Sequence, residues 1–158
     1  MKKTNVKTRY GSFTLEASEQ GLYRLRFPRS AKAKRPAGSH HSQSLAQAAG
    51  ILRKYVHGSP ASFKRVPVDL SGYTPFEKKV LRTLAKVRPG DRISYQELAK
   101  RAGYPRASRA VGSVMRKNRL PIILPCHRVV RSGGALGGYS GGMAWKRKLL
   151  AIEAGEAT

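Results

Sequence analysis

Two helix starts, each written into four residues, constrain the second half of this chain more than anything else in it. Thr74-Pro75-Phe76-Glu77 puts a hydroxyl at an N-cap, proline at the first helical position and glutamate three residues after the cap. Such a capping box satisfies otherwise orphaned backbone N–H groups. Phe76, Val80, Leu84 and Val87 then recur on one face until Arg88-Pro89-Gly90 ends the run. Ser94-Tyr95-Gln96-Glu97 reads as a second capping box, opening a short helix through Leu98, Ala99 and Ala102 that Gly103 closes. After Tyr104-Pro105 a third helix is predicted over roughly 106–117. Two short helices joined by a glycine-containing turn are the pattern of a helix-turn-helix.

Residues 5–27 predict two or three strands. Tyr23, Leu25 and Phe27 alternate with Arg24 and Arg26, and Gly11 and Gly21 mark turns. Residues 28–41 read as an exposed basic loop and residues 44–57 as a helix, from the spacing of Leu45, Ala48, Leu52 and Tyr55. Pro67 to Gly72 reads as a linker. The fold class expected is therefore α+β (α/β): an amino-terminal lobe of antiparallel strands plus helix over 1–72, and over 73–158 a helical lobe with a winged helix-turn-helix-like unit. Within the latter, Pro121-Ile122-Ile123-Leu124-Pro125 suits a buried extended segment, and a Gly-rich loop at 133–142 precedes a last helix bearing Leu149, Leu150 and Ile152.

Charge narrows the class of partner. Thirty-two Lys and Arg face eight acids, a formal +24 on 158 residues. Such a surface attracts polyanions and binds duplex DNA through counterion release. No apolar run approaches the ~20 residues of a membrane-spanning helix, and Met1-Lys2-Lys3 leads into polar residues rather than the apolar core of a signal peptide. A cytoplasmic, DNA-associated, monomeric protein is expected. On the third predicted helix, at ~100° per residue, Arg106, Arg109, Ser113 and Arg116 share a narrow stripe, while Ala107, Val111, Val114 and Met115 take another side. An isolated basic helix face is as often merely solvated. Behind a helix-turn-helix in a chain this basic, contact with nucleic acid is the better reading.

The chain has one cysteine, which excludes an intrachain disulfide and a multi-cysteine zinc site. By default a lone thiol among apolar residues is packing. Here Pro125-Cys126-His127-Arg128 sets it beside an imidazole and a guanidinium, a base and a positive charge of the kind that activates thiols. Neighbours in an extended segment point oppositely, so His127 would reach Cys126 through a water. A carboxylate beyond the imidazole would fix its tautomer, and only Glu153 and Glu156 lie downstream.

The run from Pro121 to Val130 (PIILPCHRVV), followed by GYSGG at 138–142, resembles the active-site region of the O6-alkylguanine-DNA alkyltransferases. ISYQELA at 93–99 and RAVG at 109–112, continuing to Asn118, match the same family in order and spacing. The likeness is close over about 74–155. It implies repair of duplex DNA by irreversible transfer of an alkyl group from guanine O6 to Cys126, once per molecule and without a cofactor. By the same resemblance His127 is the base acting through water, Glu153 orients it, and Asn118 shapes the turn holding the segment. Tyr95 offers its hydroxyl near guanine N3, and Arg109 fills the gap left by the extruded nucleotide. Tyr139 and Ser140 line the base pocket, and the Cys126 and Val129 carbonyls accept from the exocyclic amine. Ser94, Arg106 and Arg116 complete the expected DNA-contacting set. Some members hold zinc in the amino-terminal lobe through cysteines. With no second cysteine, and only His40, His41 and His57 there, no metal is expected. The rival readings are a lesion-binding relative, which would lack the acceptor cysteine, a helix-turn-helix regulator, which would need a sensor domain, and a cysteine hydrolase, which would need an oxyanion hole.

Overall fold

The computed structural model describes residues 1–29 and 42–156. Most of the expected basic loop, with His40 and His41, lies outside them. The described chain divides into two compact units, Met1–Leu70 and Ser71–Thr158.

In the first unit, β1 (Lys2–Thr8), β2 (Gly11–Ser18) and β3 (Gly21–Arg26) form an antiparallel sheet in that order. Helix α1 (Gln43–Val56) packs on it, burying Leu45, Ala48, Leu52 and Val56 where Val6, Phe13, Leu15 and Leu22 are also fully enclosed. The alternation expected around Tyr23 does not hold. Leu22 and Leu25 are buried, Tyr23 is half-buried, and Phe27 lies past the strand. The cause is a bulge: Glu16 pairs with Arg24 but Ala17 with Leu22, so Tyr23 is an extra residue and the inward face shifts there.

The presumed linker is only partly one. Leu22 donates to the Pro67 carbonyl (2.9 Å) and accepts from the Asp69 N–H (2.7 Å), so residues 67–69 run parallel to β3. Gly21 allows this approach, because a Cβ there would stand 2.4 Å from the Pro67 oxygen.

The second unit is built from α2 (Pro75–Leu84), β4 (Ile93–Ser94), α3 (Tyr95–Arg101), α4 (Ser108–Lys117), a 3₁₀ turn at Cys126–Arg128, β5 (Val129–Val130) and α5 (Met143–Glu153). The first capping box forms completely: Thr74 Oγ1 accepts from the Glu77 N–H and the Glu77 carboxylate from the Thr74 N–H, both at 3.1 Å. The second forms by half. Ser94 caps the Glu97 N–H at 2.9 Å, while the Glu97 carboxylate turns to Arg101 one helical turn on. Short strands β4 and β5 pair in parallel, Ile93 with Val129 and Ser94 with Val130. That pairing sets the start of α3 beside the segment that carries the cysteine.

Candidate active site

Residues 121–128 hold the thiol by turns rather than by extension. Leu124 donates to the Leu120 carbonyl (2.8 Å), Cys126 to Leu124 (2.8 Å) and Arg128 to Pro125 (3.0 Å), with Ile122 at φ 74°. The expected extended segment is thus corrected. Proline fencing and apolar content signalled burial, which is complete here, but not backbone shape. Asn118 clamps the turn: its Nδ2 donates to the Leu124 carbonyl (2.9 Å) and its Oδ1 accepts from the Leu120 N–H (3.0 Å). Asn118→Ala would leave both backbone groups buried without these partners, at about 1–3 kcal/mol each. Chemical denaturation should show that loss of stability, with Asn118→Asp, which keeps the acceptor alone, falling between.

The 3₁₀ turn splits three consecutive side chains between different surroundings. Cys126, 4% exposed, lines a cleft of about 890 Å³. His127 is fully buried, with Nε2 2.6 Å from Glu153 Oε1. Arg128 also turns to Glu153, with Nε 3.1 Å from both carboxylate oxygens and Nη2 2.7 Å from Oε1, while Nη1 donates to the Val87 carbonyl. Its guanidinium was expected to supply positive charge to the thiol. Instead it is spent on the carboxylate, because Glu153, the last residue of α5, is itself only 2% exposed at its side chain and requires compensation.

The cation that acts on the thiol is Lys146. Its buried Nζ donates to the carbonyls of Val129 (2.8 Å), Leu136 and Gly138 (3.2 Å). Burial lowers its pKa to about 8, against a raising influence from Cys126. Sequence reasoning passed over this residue. The signal was present, since Lys146, Leu149, Leu150 and Glu153 occupy one face at helical spacing.

Burial pushes the Cys126 thiol up, partly opposed by hydrogen bonds from Asn118 and Tyr139 and by the Lys146 charge. Burial pushes His127 down, against the hydrogen bond and charge of Glu153. The resting pair is therefore a neutral thiol and a neutral imidazole, with a proton acceptor in place and no standing thiolate.

Around the thiol, α4 gives the cleft Arg109, Gly112, Ser113 and Arg116, which recur at i, i+3, i+4 and i+7. Tyr95, at the head of α3, and Tyr139 and Ser140, from the loop before α5, line it as well. Burial raises the Tyr95 hydroxyl pKa, as does Cys126, with Arg131 and Arg116 opposing. Gly137, at φ 71°, packs on that ring; a Cβ there would stand 3.1 Å from the Tyr95 oxygen. Arg131 lines the cleft too and was missed, because nothing in the sequence separates it from the other cations.

One expected residue sits differently, and two others carry a structural bond as well. Arg106 precedes α4, in the turn that Ala107 closes onto the Tyr104 carbonyl (2.9 Å), and so leaves the helix stripe. Ser94 serves as the α3 cap. The Val129 carbonyl accepts from Lys146 Nζ at 2.8 Å. Among the described residues no cluster of His, Cys, Asp and Glu could hold a metal ion, and no helix is long and apolar enough to cross a membrane.

Comparison with known proteins bears on both units. Residues 75–155 match the family model for the DNA binding domain of 6-O-methylguanine DNA methyltransferase, and residues 1–70 match that for its ribonuclease-like domain. This chain belongs to the 6-O-methylguanine DNA methyltransferase family. Among relatives in that family, the methylated-DNA–protein-cysteine methyltransferase of Homo sapiens is 39% identical over 97% of this chain and 80% of its own length. Of solved methyltransferase structures, Mycobacterium tuberculosis OGT in complex with DNA superposes with a TM-score of 0.82 at 34% identity, covering 98% of this chain and 94% of that one. The O6-methylguanine-DNA methyltransferase of Pyrococcus kodakaraensis gives 0.70 at 30% identity, covering 96% and 98%. The mixed strand and helix architecture expected from the sequence is that of the methyltransferase family.

Proposed function

We propose that this protein repairs O6-alkylguanine in duplex DNA by transferring the alkyl group to its own Cys126, each molecule acting once. The observation that supports this is the chain's single thiol lining a cleft, with the adjacent imidazole bonded at 2.6 Å to a buried carboxylate. In the step proposed, the Cys126 sulfur attacks the alkyl carbon, the new S–C bond forms as the C–O6 bond breaks, and the electron pair leaves on the guanine. The thiol proton passes through a water to His127 Nδ1, and Glu153 balances the imidazolium that results. Tyr95, held protonated by its raised pKa until then, gives its hydroxyl proton to guanine N3 as the C–O6 bond breaks, so that the base departs neutral. The tyrosinate left behind regains a proton from the His127 imidazolium through solvent. A thioether is not hydrolysed back, which makes the protein a reactant.

The alkyl carbon becomes accessible to sulfur only when the nucleotide leaves the stack, which costs a few kcal/mol. Arg109 is assigned to the vacated position. Arg116 and Arg106 take phosphates, Tyr139 and Ser140 enclose the base, and the Cys126 and Val129 carbonyls receive its amine. The protein acts as a monomer in the cytoplasm, on DNA. The alternative of a non-catalytic lesion binder has against it the thiol in the cleft and the His127–Glu153 contact beside it. Titrating a fixed amount of O6-methylguanine duplex with protein tests single use. Lesions removed should rise one for one with protein added and stop there; continued removal after the protein is consumed would contradict it.

A further inference from the structure

The connection between α2 and β4 carries a second basic cleft, which shares no residue with the one holding Cys126. It encloses about 330 Å³, large enough for a phosphate group. Lys86, Arg88, Arg92 and Arg101 line it, all exposed; Arg101 is paired with Glu97 at 3.1 Å, and Asp91 is the one carboxylate among the lining residues. Gathering like charges in one concavity focuses a positive potential there, which an oxyanion would relieve. The same connection touches the relay from behind at several points. The Gly90 N–H donates to Glu153 Oε2 (3.3 Å), and Arg128 Nη1 donates to the Val87 carbonyl (2.5 Å). The Arg92 charge also acts on Lys146. A ligand that drew this loop toward itself would move groups bonded to the carboxylate that holds His127.

We propose that this cleft is a phosphate-binding site, and that its occupancy changes the reactivity of Cys126 through the loop at residues 87–92. The ligand chemistry is that of clustered phosphate oxyanions, either a free polyphosphate or the backbone of a nucleic-acid segment other than the one being repaired. The binding does not depend on the repair reading; the coupling does.

Inorganic tripolyphosphate is the probe. Calorimetry at 0.15 M salt, where weak surface attraction is screened, should show saturable binding to the parent. Arg88→Ala/Arg92→Ala should weaken it at least tenfold. Arg109→Ala/Arg116→Ala removes the same charge from the other cleft and should change it less than threefold. No saturable binding, or equal loss in both double variants, would overturn the site. Undamaged duplex added to the Arg109→Ala/Arg116→Ala protein identifies the source. Displacement of tripolyphosphate assigns the cleft to a DNA backbone, and retention assigns it to a free polyphosphate. For the coupling, saturating tripolyphosphate should change the rate of transfer from free O6-benzylguanine at least twofold in the parent and not in Arg88→Ala/Arg92→Ala. An unchanged parent rate would overturn the coupling, whereas a parent protein unreactive toward any alkyl donor would instead contradict the repair reading.

Discussion

Replacing Glu153 by alanine is expected to destabilise the second unit by about 3–5 kcal/mol, the range for removing one partner of a buried ion pair. The carboxylate accepts from Arg128, whose side chain is 7% exposed, and from the Gly90 N–H, and it bonds to a fully buried imidazole. Alanine removes the counter-charge and leaves the guanidinium enclosed in protein. Denaturant unfolding of the parent and variant, monitored at the single tryptophan, Trp145, gives the difference. Glu153→Gln separates support from chemistry. It preserves shape and one acceptor but not the charge that would balance a protonated His127. It should lose part of that stability but still fold, because one acceptor for Arg128 remains, and alkyl transfer should slow by about 100-fold or more, the contribution typical of a positioned general base. A Gln variant that reacts within twofold of the parent would mean that the thiol attacks without the relay.

Arg109→Ala is expected to lower the repair rate in duplex roughly 30- to 150-fold, equivalent to about 2–3 kcal/mol of extrusion cost no longer offset. Reaction with free O6-benzylguanine should stay within a few-fold, since a free base needs no extrusion. Arg109 stands on the first turn of α4, exposed and facing the cleft that Cys126 lines. Arg116, two turns further along that helix, is tied to Ser113 Oγ at 3.0 Å, and Arg106 lies off the helix. As phosphate contacts, Arg106→Ala and Arg116→Ala should each weaken affinity for every sequence and shallow its salt dependence by about one unit. The ratio of duplex to free-base rates across the three variants decides the matter. Equal ratios would make Arg109 another phosphate contact.

Local chemistry is what the sequence displayed most plainly. The Thr74 capping box, the short helix behind Ser94 and the periodicities of α1 and α4 depend on residues a few positions apart. They emerged near their expected bounds. What eluded reading were features made by partners distant in the chain. The shift of face at Tyr23 depends on how β3 pairs with β2, and the return of residues 67–69 along β3 depends on a glycine that does not announce its neighbour. In the site, adjacency suggested that Arg128 serves the thiol. Its actual partner is 25 residues away, and the charge that opposes the rise in the thiol pKa is that of Lys146, legible only from its place on the apolar face of α5 with Leu149 and Leu150. Proline and apolar content likewise announced a buried segment at 121–125 without revealing that Asn118 folds it into a turn.

Transfer to Cys126 is most directly tested by intact-mass spectrometry of the full chain after incubation with excess O6-methylguanine duplex. The expected result is one added methyl group per molecule, located by peptide mapping on Cys126, with restored guanine in the DNA. Cys126→Ala should bind the duplex, gain no mass and repair nothing. Lesion removal with the protein mass unchanged, or a methyl group found on any other residue, would contradict the account.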